Sequence, residues 1–311
     1  MDPSAEDCAI RPIAGTDLSL ISNVDIMTPI TDDPYLYGKI VTCNATNDNF
    51  TMNATDILSY LVFMAVPIDI PDDFPKRMLE GIRDFLKSID SDISGGHTTY
   101  SEWPFLGGLC NSIMKTQDIT RKEAQNLQLG DKIILTKPLG TQGIMAAYRL
   151  LDQDSFGILE DFNRSDIEDS IHAAERSMTT SLRPVPLAIH EYKLKPYIRA
   201  MTDITGFGLQ GHLGECLEKA PFSANIHTLP VFPLALEFSD LLGFNLRQGK
   251  SAETAGPMCI IIDSKGFKEF VDALGAFNVQ TFEIGEIVEK KKNPVEFDPR
   301  LTYRVVEKFG L

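Results

Sequence analysis

The first clear pattern in the chain is an alternation of apolar and polar residues over Leu18–Met27. Alternation with a period of two is typical of a strand that buries one face, and it places Asp25 near the end of this strand. Asp33 and Pro34 follow, an aspartate suited to cap a helix and a proline suited to its first turn. The pattern therefore predicts a strand followed by a helix.

The predicted helix carries a pair of polar residues. Its apolar residues recur at helical spacing, at Leu36, Ile40 and Val41. Asn44 and Asp48 are four residues apart, so both side chains project from the same side of the helix, one turn apart. Two interpretations stay open here: the pair faces a polar cleft, or it lies on a solvated face of the helix.

The rest of the chain mixes strands and helices without strict alternation. Apolar runs predict strands, and apolar spacings of three and four predict amphipathic helices. The predicted strands are residues 57–66, 105–114, a short segment within 130–140, 258–262 and 279–287. The predicted helices are residues 74–89, 142–151, 167–182, 233–242 and 267–274, and the polar, helix-like residues 116–129 are predicted to link two units. This order favours an α+β sandwich over a doubly wound sheet, and 311 residues favour two domains.

The most distinctive stretch reads Ala-Met-Thr-Asp-Ile-Thr-Gly-Phe-Gly-Leu-Gln-Gly-His at residues 200–212. It predicts a short strand that ends at Met201, then the carboxylate of Asp203, then a glycine-rich turn into a helix that runs to about Lys219. A carboxylate between the end of a strand and the start of a helix suits a metal ion that carries phosphates. The alternative is that the glycines only allow a helix to pack tightly on a sheet.

The same stretch contains the spacing of a dinucleotide-binding fingerprint. Gly206, Gly208 and Gly211 match G-x-G-x-x-G. That fingerprint also includes an acidic residue about 20 residues further on, whereas residues 225–230 read Asn-Ile-His-Thr-Leu-Pro. Because no acid completes the pattern, the sequence argues against a Rossmann-type dinucleotide site.

The composition is strongly acidic, with a formal net charge of −15 at pH 7. Nucleic-acid binding needs clustered Lys and Arg, so no nucleic-acid partner is expected. An acidic protein that handles an anion such as a nucleotide needs local cations, and metal ions are therefore expected beside its carboxylates. The five scattered cysteines, the absence of a leader pattern and the absence of an apolar run of about 18 residues predict a reduced, cytoplasmic protein without a membrane partner.

Two further segments are candidates for contact with phosphate or nucleotide. Residues 93–99 carry two glycines, hydroxyl side chains and His97 at a predicted strand edge, and such a backbone can approach a nucleotide closely. Lys137 follows a predicted strand and can reach a phosphate. The simpler alternatives are a plain turn and a solvated lysine.

In their order along the chain, these motifs resemble those of selenophosphate synthetase (selenide, water dikinase), within the aminoimidazole-ribonucleotide-synthetase-like ATP enzymes. The ordered set covers nearly the whole chain, and its most specific member is Met-Thr-Asp-Ile-Thr-Gly-Phe-Gly at residues 201–208. The other members are Asp7-Cys8-Ala9, Asp25 with Met27-Thr28-Pro29-Ile30, residues 33–40, residues 44–48, Gly95-Gly96-His97-Thr98, residues 135–140 and residues 284–288.

The resemblance implies a two-domain α+β architecture, with an ATP-binding, metal-binding and dimerisation domain at residues 1–118 and a second α+β domain at residues 119–311. It implies a homodimer whose N-terminal sheets pair across the interface. The implied reaction converts ATP, selenide and water into selenophosphate, AMP and phosphate, with Mg²⁺ as the cofactor. By matching positions, the resemblance implies that the metal ligands are Asp7, Asp48 and Asp203, and that the nucleotide is lined by Ser4, Ala5, Glu6, Asp25, Asp48, Gly96, His97 and Thr98.

The chain departs from the family pattern at three places. The family's glycine-rich segment, with a Cys or selenocysteine and a nearby Lys, has no counterpart in residues 1–6, so no catalytic residue is assigned and a shortened or divergent N-terminus is expected. Thr51-Met52-Asn53 stands where the family has Ala-Met-Gly. Residues 253–257 read Glu-Thr-Ala-Gly-Pro in place of Gln-Thr-Ser-Gly-Gly, and the proline removes a backbone donor.

Two other functions stay open at this point. The departures suit a non-catalytic relative that binds nucleotide, and the wider resemblance suits another ATP-dependent ligase of the same superfamily. Outside the motifs, His212 is expected to serve helix packing, and Cys8 matches a different position from the reactive thiol of the family.

Overall fold

Strands and helices follow one another in the mixed order that the sequence predicts. The computed structural model describes residues 6–153 and 157–309, and this part of the chain contains eleven strands and eight α-helices. The strands are β1 (Ala9–Pro12), β2 (Leu18–Met27), β3 (Ser59–Val66), β4 (Ile93–Tyr100), β5 (Phe105–Lys115), β6 (Lys132–Leu135), β7 (Ile198–Asp203), β8 (Phe222–Val231), β9 (Met258–Ile262), β10 (Phe282–Glu289) and β11 (Val295–Val305). The helices are α1 (Pro34–Thr51), α2 (Asp73–Ser88), α3 (Thr141–Leu150), α4 (Arg164–Met178), α5 (Pro184–Glu191), α6 (Gly208–Cys216), α7 (Ala235–Leu242) and α8 (Phe267–Ala276).

The predicted start of α1 is confirmed in detail. Asp33 Oδ1 accepts hydrogen bonds from the backbone N–H groups of Tyr35, at 2.8 Å, and Leu36, at 3.3 Å. These are two of the donors that the first turn of a helix leaves without a backbone partner. Pro34 occupies the first helical position, where a missing N–H group costs nothing.

Residue contacts divide the chain into two compact units. The first contains the described residues up to Lys122, together with Thr179–Lys195. Its sheet has the strand order β1-β2-β5-β3-β4, in which only β3 and β4 pair in parallel. Helix α1 packs on β2 and β5, and large side chains such as Ile21, Tyr60 and Leu106 are buried in this unit.

Helices α1 and α2 of the first unit approach each other through two glycines. A Cβ atom on Gly81 would overlap the carbonyl oxygen of Tyr35, and one on Gly38 would overlap the carbonyl oxygen of Met78. In both cases the overlapping atom is backbone, which cannot rotate away as a side chain can. The glycines therefore set the distance between the two helices.

The second unit comprises Glu123–Met178 and the described residues from Pro196 onward. Its sheet has the order β11-β8-β10-β6-β9-β7, with β11 and β8 as its parallel pair and antiparallel pairing elsewhere. The central strands β6 and β9 are almost completely buried, as their continuous isoleucine runs predict. Helices α3, α4 and α7 pack together in this unit.

Several predictions of local structure are wrong or incomplete. Residues 116–129 are not helical: a 3₁₀ turn at Thr116–Asp118 is the helical structure in this segment, which the structure describes throughout. The backbone N–H groups of Ala124 and Gln125 donate to the carbonyl oxygens of Cys216 and Arg199, so long-range hydrogen bonds replace the helical ones. Strand β7 runs to Asp203, two residues beyond the predicted end, and α6 ends at Cys216. The sequence patterns missed β1, α5, β8 and β11.

The fold class is confirmed as α+β with two units. The boundary after residue 118 stays a prediction. None of the helices within residues 6–153 and 157–309 combines the length and hydrophobicity needed to cross a bilayer.

Candidate metal and nucleotide site

Two of the predicted metal ligands, Asp7 and Asp48, come together in the first unit. Asp7 lies just before β1, and Asp48 lies in the last turn of α1. One carboxylate oxygen of Asp7 and one of Asp48 lie within 4.8 Å of each other. Carboxylate oxygens at this separation can share a hard divalent cation, because Mg²⁺ prefers oxygen ligands at about 2.1 Å. The donor set therefore fits the ion that the resemblance implies.

The Asp7 carboxylate is held by two side chains. Lys122 Nζ lies 2.8 Å from Asp7 Oδ1, and both side chains of this ion pair are buried, with 7% and 4% exposed. The Thr51 hydroxyl lies 3.0 Å from Asp7 Oδ2 and 2.7 Å from the carbonyl oxygen of Asp48. Thr51 is one of the positions at which the chain departs from the family, and here it contacts a predicted metal ligand.

The next departure has a backbone explanation. Asn53 has φ of 72°, in the left-handed region that favours glycine, and asparagine is among the few other residues that adopt it readily. The Asn53 side chain donates to the carbonyl oxygen of Asp118 at 3.0 Å. Asparagine can therefore replace the family's glycine after α1 without changing the path of the chain.

Glu6 lies beside Asp7 and contacts the same segment. It accepts a hydrogen bond from the backbone N–H of Lys122 at 2.9 Å, and Arg121 lies 3.5 Å away. Burial raises the pKa of Glu6 above its ordinary value, and the Lys122 N–H and the Arg121 charge partly oppose that rise. Ser4 and Ala5, also predicted to line the nucleotide, lie outside the described residues.

Asp25 is oriented by two amides. Asn44 Nδ2 donates to Asp25 Oδ2 at 3.1 Å and Asn23 Nδ2 donates to it at 3.3 Å. The polar pair of α1 therefore faces a polar cleft, because Asn44 contacts Asp25 and Asp48 lies beside Asp7. Burial raises the pKa of the Cys110 thiol, and the charges of Asp48 and Asp25 raise it further.

The glycine and hydroxyl segment is a strand, not a plain turn. Gly96, His97 and Thr98 lie in β4, the exposed edge strand that pairs with β3. A Cβ atom on Gly96 would overlap the carbonyl oxygen of Val62, so packing within the sheet explains this glycine. Strands β5 and β3 separate β4 from β2, so the sheet does not bring His97 beside Asp25.

The remaining predicted ligand, Asp203, belongs to the second unit. It is the last residue of β7, opposite Met258 of β9, and its side chain is buried. The backbone N–H of the next residue, Ile204, donates to the carbonyl oxygen of Pro257 at 2.9 Å. Gly208 has φ of 65° and a Cβ there would lie 2.6 Å from the carbonyl oxygen of Gly249. The glycine therefore allows close backbone packing.

His212 has a more specific role than the predicted helix packing. Its Nε2 atom accepts from the backbone N–H of Phe207 at 3.4 Å and lies 3.1 Å from the Thr205 hydroxyl. The histidine thus fastens the loop that follows Asp203. The signal in the sequence was the short separation of five residues between His212 and Phe207, which lets the histidine side chain reach back to the loop before the helix.

Lys137 is buried, so of the two alternatives left open for it the solvated lysine is wrong. Its Nζ atom donates to the carbonyl oxygens of Ser177 at 2.9 Å and Ala255 at 2.7 Å. Next to it, Glu253 accepts from the backbone N–H groups of Gly140 at 2.7 Å and Thr141 at 2.9 Å. A protein carboxylate therefore occupies the start of α3, where a phosphate would otherwise find donors.

Glu253 makes the stability of the protein depend on pH. Burial raises its pKa from the ordinary 4.5 to about 7. Between these two pH values the folded state therefore holds a proton that the unfolded state has lost. The resulting stability is complete below about pH 4.5 and is lost as pH rises through about 7. We therefore expect the unfolding free energy of the parent protein to fall by about 3 kcal/mol between about pH 5 and about pH 8, and we expect Glu253→Gln to lack this fall. Denaturant titrations at both pH values measure the unfolding free energy, with the exposed Glu237→Gln as the control. The same pH dependence in the parent, Glu253→Gln and Glu237→Gln would contradict the prediction.

Comparisons with known proteins cover both units. The family model described as AIR synthase related protein, N-terminal domain, matches residues 5–114, and the corresponding C-terminal domain matches residues 128–298. The chain is 36% identical over 274 residues to the selenide, water dikinase of Methanococcus maripaludis, covering 87% of this chain and 81% of the relative. It is 34% identical over 276 residues to that of Methanocaldococcus jannaschii, covering 88% and 78%.

Among solved structures, AaThiL complexed with AMPPCP and TMP has the same fold, with a TM-score of 0.70 over 97% of this chain and 89% of that one, at 14% identity. Two matching domain models and relatives above 30% identity over most of their length agree with the motifs found in the sequence. The chain therefore belongs to the selenide, water dikinase family of AIR synthase related proteins.

Proposed function

We propose that the protein synthesises selenophosphate, converting ATP, selenide and water into selenophosphate, AMP and phosphate with the help of Mg²⁺. The observation that carries this proposal is the Asp7–Asp48 pair, two carboxylates within reach of one cation at the positions where the family motifs occur. The names of the two archaeal relatives support selenide as the substrate, and the AMPPCP complex of the ThiL neighbour supports a nucleotide with a triphosphate-like chain.

In this proposal Mg²⁺ is held by Asp7, Asp48 and Asp203. The ion supplies positive charge between these carboxylates and the phosphate oxygens, which would otherwise repel each other. Asp203 is included because its motif matches the family, and because a buried carboxylate at a strand end suits such a ligand. The nucleotide is lined by Glu6, Asp25 and Asp48, with Ser4 and Ala5 at the matching positions of the N-terminal segment. Gly96, His97 and Thr98 remain predicted nucleotide contacts from their motif alone, since two strands separate them from Asp25 in the sheet.

The amides around Asp25 orient its carboxylate before any nucleotide arrives. Asn23 Nδ2 also donates to the carbonyl oxygen of Ala45 at 3.1 Å, which ties the end of β2 to α1. Two amides already donate to Asp25 Oδ2. The other carboxylate oxygen is therefore better placed to accept a hydrogen bond from a hydroxyl group of the nucleotide. Asp25 is thereby a binding residue in this proposal, and no proton transfer is assigned to it.

The function is tested by the products. The full chain is incubated with ATP, Mg²⁺ and selenide, AMP is quantified by ion-exchange chromatography, and selenophosphate by ³¹P NMR. We expect AMP and selenophosphate to appear together and only when selenide is present. ATP binding without AMP above background would favour the non-catalytic relative, and turnover of a formylglycinamidine-type substrate would favour a purine-biosynthetic ligase.

The open face of the first sheet supports a homodimer. On the side of the sheet away from α1, four apolar side chains are exposed in neighbouring strands: Val24 at 57%, Ile26 at 45%, Leu61 at 40% and Ile113 at 43%. A contiguous apolar patch of this kind is typical of an interaction surface, and a second copy of the chain offers a matching patch. Pairing of the N-terminal sheets is therefore proposed as the dimer interface.

Val24→Lys is expected to convert the dimer into a monomer, because it places a charge in the centre of the apolar patch. The molar mass in solution, measured by light scattering after size exclusion, tests this. Leu241→Lys is the matched control, since Leu241 is a similarly exposed apolar residue, at 48%, in the second unit. A dimeric Val24→Lys protein, or a monomeric Leu241→Lys protein, would contradict the proposed interface. The cytoplasmic location and the absence of a nucleic-acid partner stay predictions.

A further inference from the structure

We propose that Lys122 is the counter-charge of the Asp7–Asp48 pair before metal and nucleotide bind, and that its ammonium group pairs with a phosphate oxygen once they are bound. The inference rests on the proposed function, since it assigns a positioning residue to that site. It concerns a residue that lies outside every motif by which the sequence resembles the family.

The electrostatics of the carboxylate pair require a nearby cation. Two carboxylates whose oxygens lie within 4.8 Å of each other repel, and this repulsion is only partly screened by water because both residues are partly buried. Burying a charge without a partner is costly as well. The Lys122 ammonium group offsets the repulsion between the carboxylates and pairs with the buried charge of Asp7. It lies 2.8 Å from Asp7 Oδ1, and this ion pair is almost completely buried.

The backbone fixes the position of this ammonium group. The N–H of Lys122 donates to Glu6 Oε2 at 2.9 Å, and the N–H of Thr120 donates to the carbonyl oxygen of Met52 at 3.1 Å. The segment before and at Lys122 is therefore tied both to the residue next to Asp7 and to the end of α1. A surface lysine reaching in from solvent would have no such anchors.

A divalent cation and the ammonium group then act on the same carboxylate. Metal binding to Asp7 is opposed by the positive charge already there, whereas the bound triphosphate is attracted by it. Removing the charge should therefore have effects of opposite sign on the two ligands. If the lysine only held the fold together, its removal would weaken the binding of both ligands or of neither.

The test uses Lys122→Met, which keeps the aliphatic stem, and Lys122→Gln, which keeps a hydrogen-bond donor for Asp7 if the methionine variant does not fold. Lys122→Arg retains the charge, and Lys219→Met removes an exposed lysine of the other unit as a control. Calorimetry measures the binding of Mg²⁺ alone, of AMPPCP with saturating Mg²⁺, and of AMP. For Lys122→Met and Lys122→Gln we expect Mg²⁺ to bind about tenfold more tightly and AMPPCP about tenfold more weakly, with AMP nearly unchanged.

Lys122→Arg and Lys219→Met are expected to bind all three ligands as the parent protein does. Unchanged affinities in both neutral variants, or changes of the same sign for Mg²⁺ and AMPPCP, overturn the inference while leaving the proposed function standing, provided that the parent binds AMPPCP. A parent protein that binds no AMPPCP with Mg²⁺ overturns the proposed function, and the inference with it.

Discussion

Asp203→Asn is expected to abolish the Mg²⁺-dependent part of ATP binding and to lower AMP formation by about 100-fold or more. Asparagine keeps the size of the side chain and one oxygen ligand but removes the negative charge that attracts the cation. Because Asp203 is buried, a neutral isostere should leave the protein folded, with a thermal midpoint at or above that of the parent. Calorimetry of ATP binding with and without Mg²⁺ measures the effect, and circular dichroism verifies folding.

The matched control for this experiment is Asp240→Asn. Asp240 is an exposed aspartate of the second unit that pairs with Arg247, and its substitution should change neither binding nor turnover. If Asp203→Asn retains Mg²⁺-dependent binding, Asp203 does not hold the metal and the ligand set must be sought in the first unit. The same measurement on Asp48→Asn then decides whether the Asp7–Asp48 pair holds the ion.

Gly81→Ala is expected to lower the free energy of unfolding by about 3 kcal/mol. The new methyl group overlaps the carbonyl oxygen of Tyr35 in α1, so the two helices must separate or bend. Urea denaturation followed by circular dichroism measures the change.

Gly275→Ala is the control for Gly81→Ala. Gly275 lies in α8, and apart from its chain neighbours and the backbone of its own helix no atom lies within 4 Å of the position that a Cβ would take. Alanine there should stabilise the protein by about 0.5–1 kcal/mol, because it restricts the unfolded chain and favours the helix. Equal effects of the two substitutions would show that the contact between α1 and α2 yields easily, and would contradict the role given to Gly81.

Local patterns were sufficient where the structure is decided by neighbours in the sequence. The strand at Leu18–Met27 and the start of α1 at Pro34 occur as predicted, and β9 begins and ends at the predicted residues. Period-two alternation, a capping aspartate and an apolar run each depend on a few adjacent residues. Segments without such a pattern, among them β8 and β11, form because partner strands far away in the chain supply their hydrogen bonds.

The sequence by itself determined the family, the α+β class and the carboxylates proposed to hold Mg²⁺, because these depend on the order and spacing of motifs. Only the tertiary structure decided that Lys122 and Thr51 hold Asp7, that Lys137 is buried, and that Glu253 occupies the start of α3. The physical reason is distance along the chain. An ion pair between residues 7 and 122 leaves no periodic trace in either segment, and the burial of a lysine depends on elements that fold over it from elsewhere.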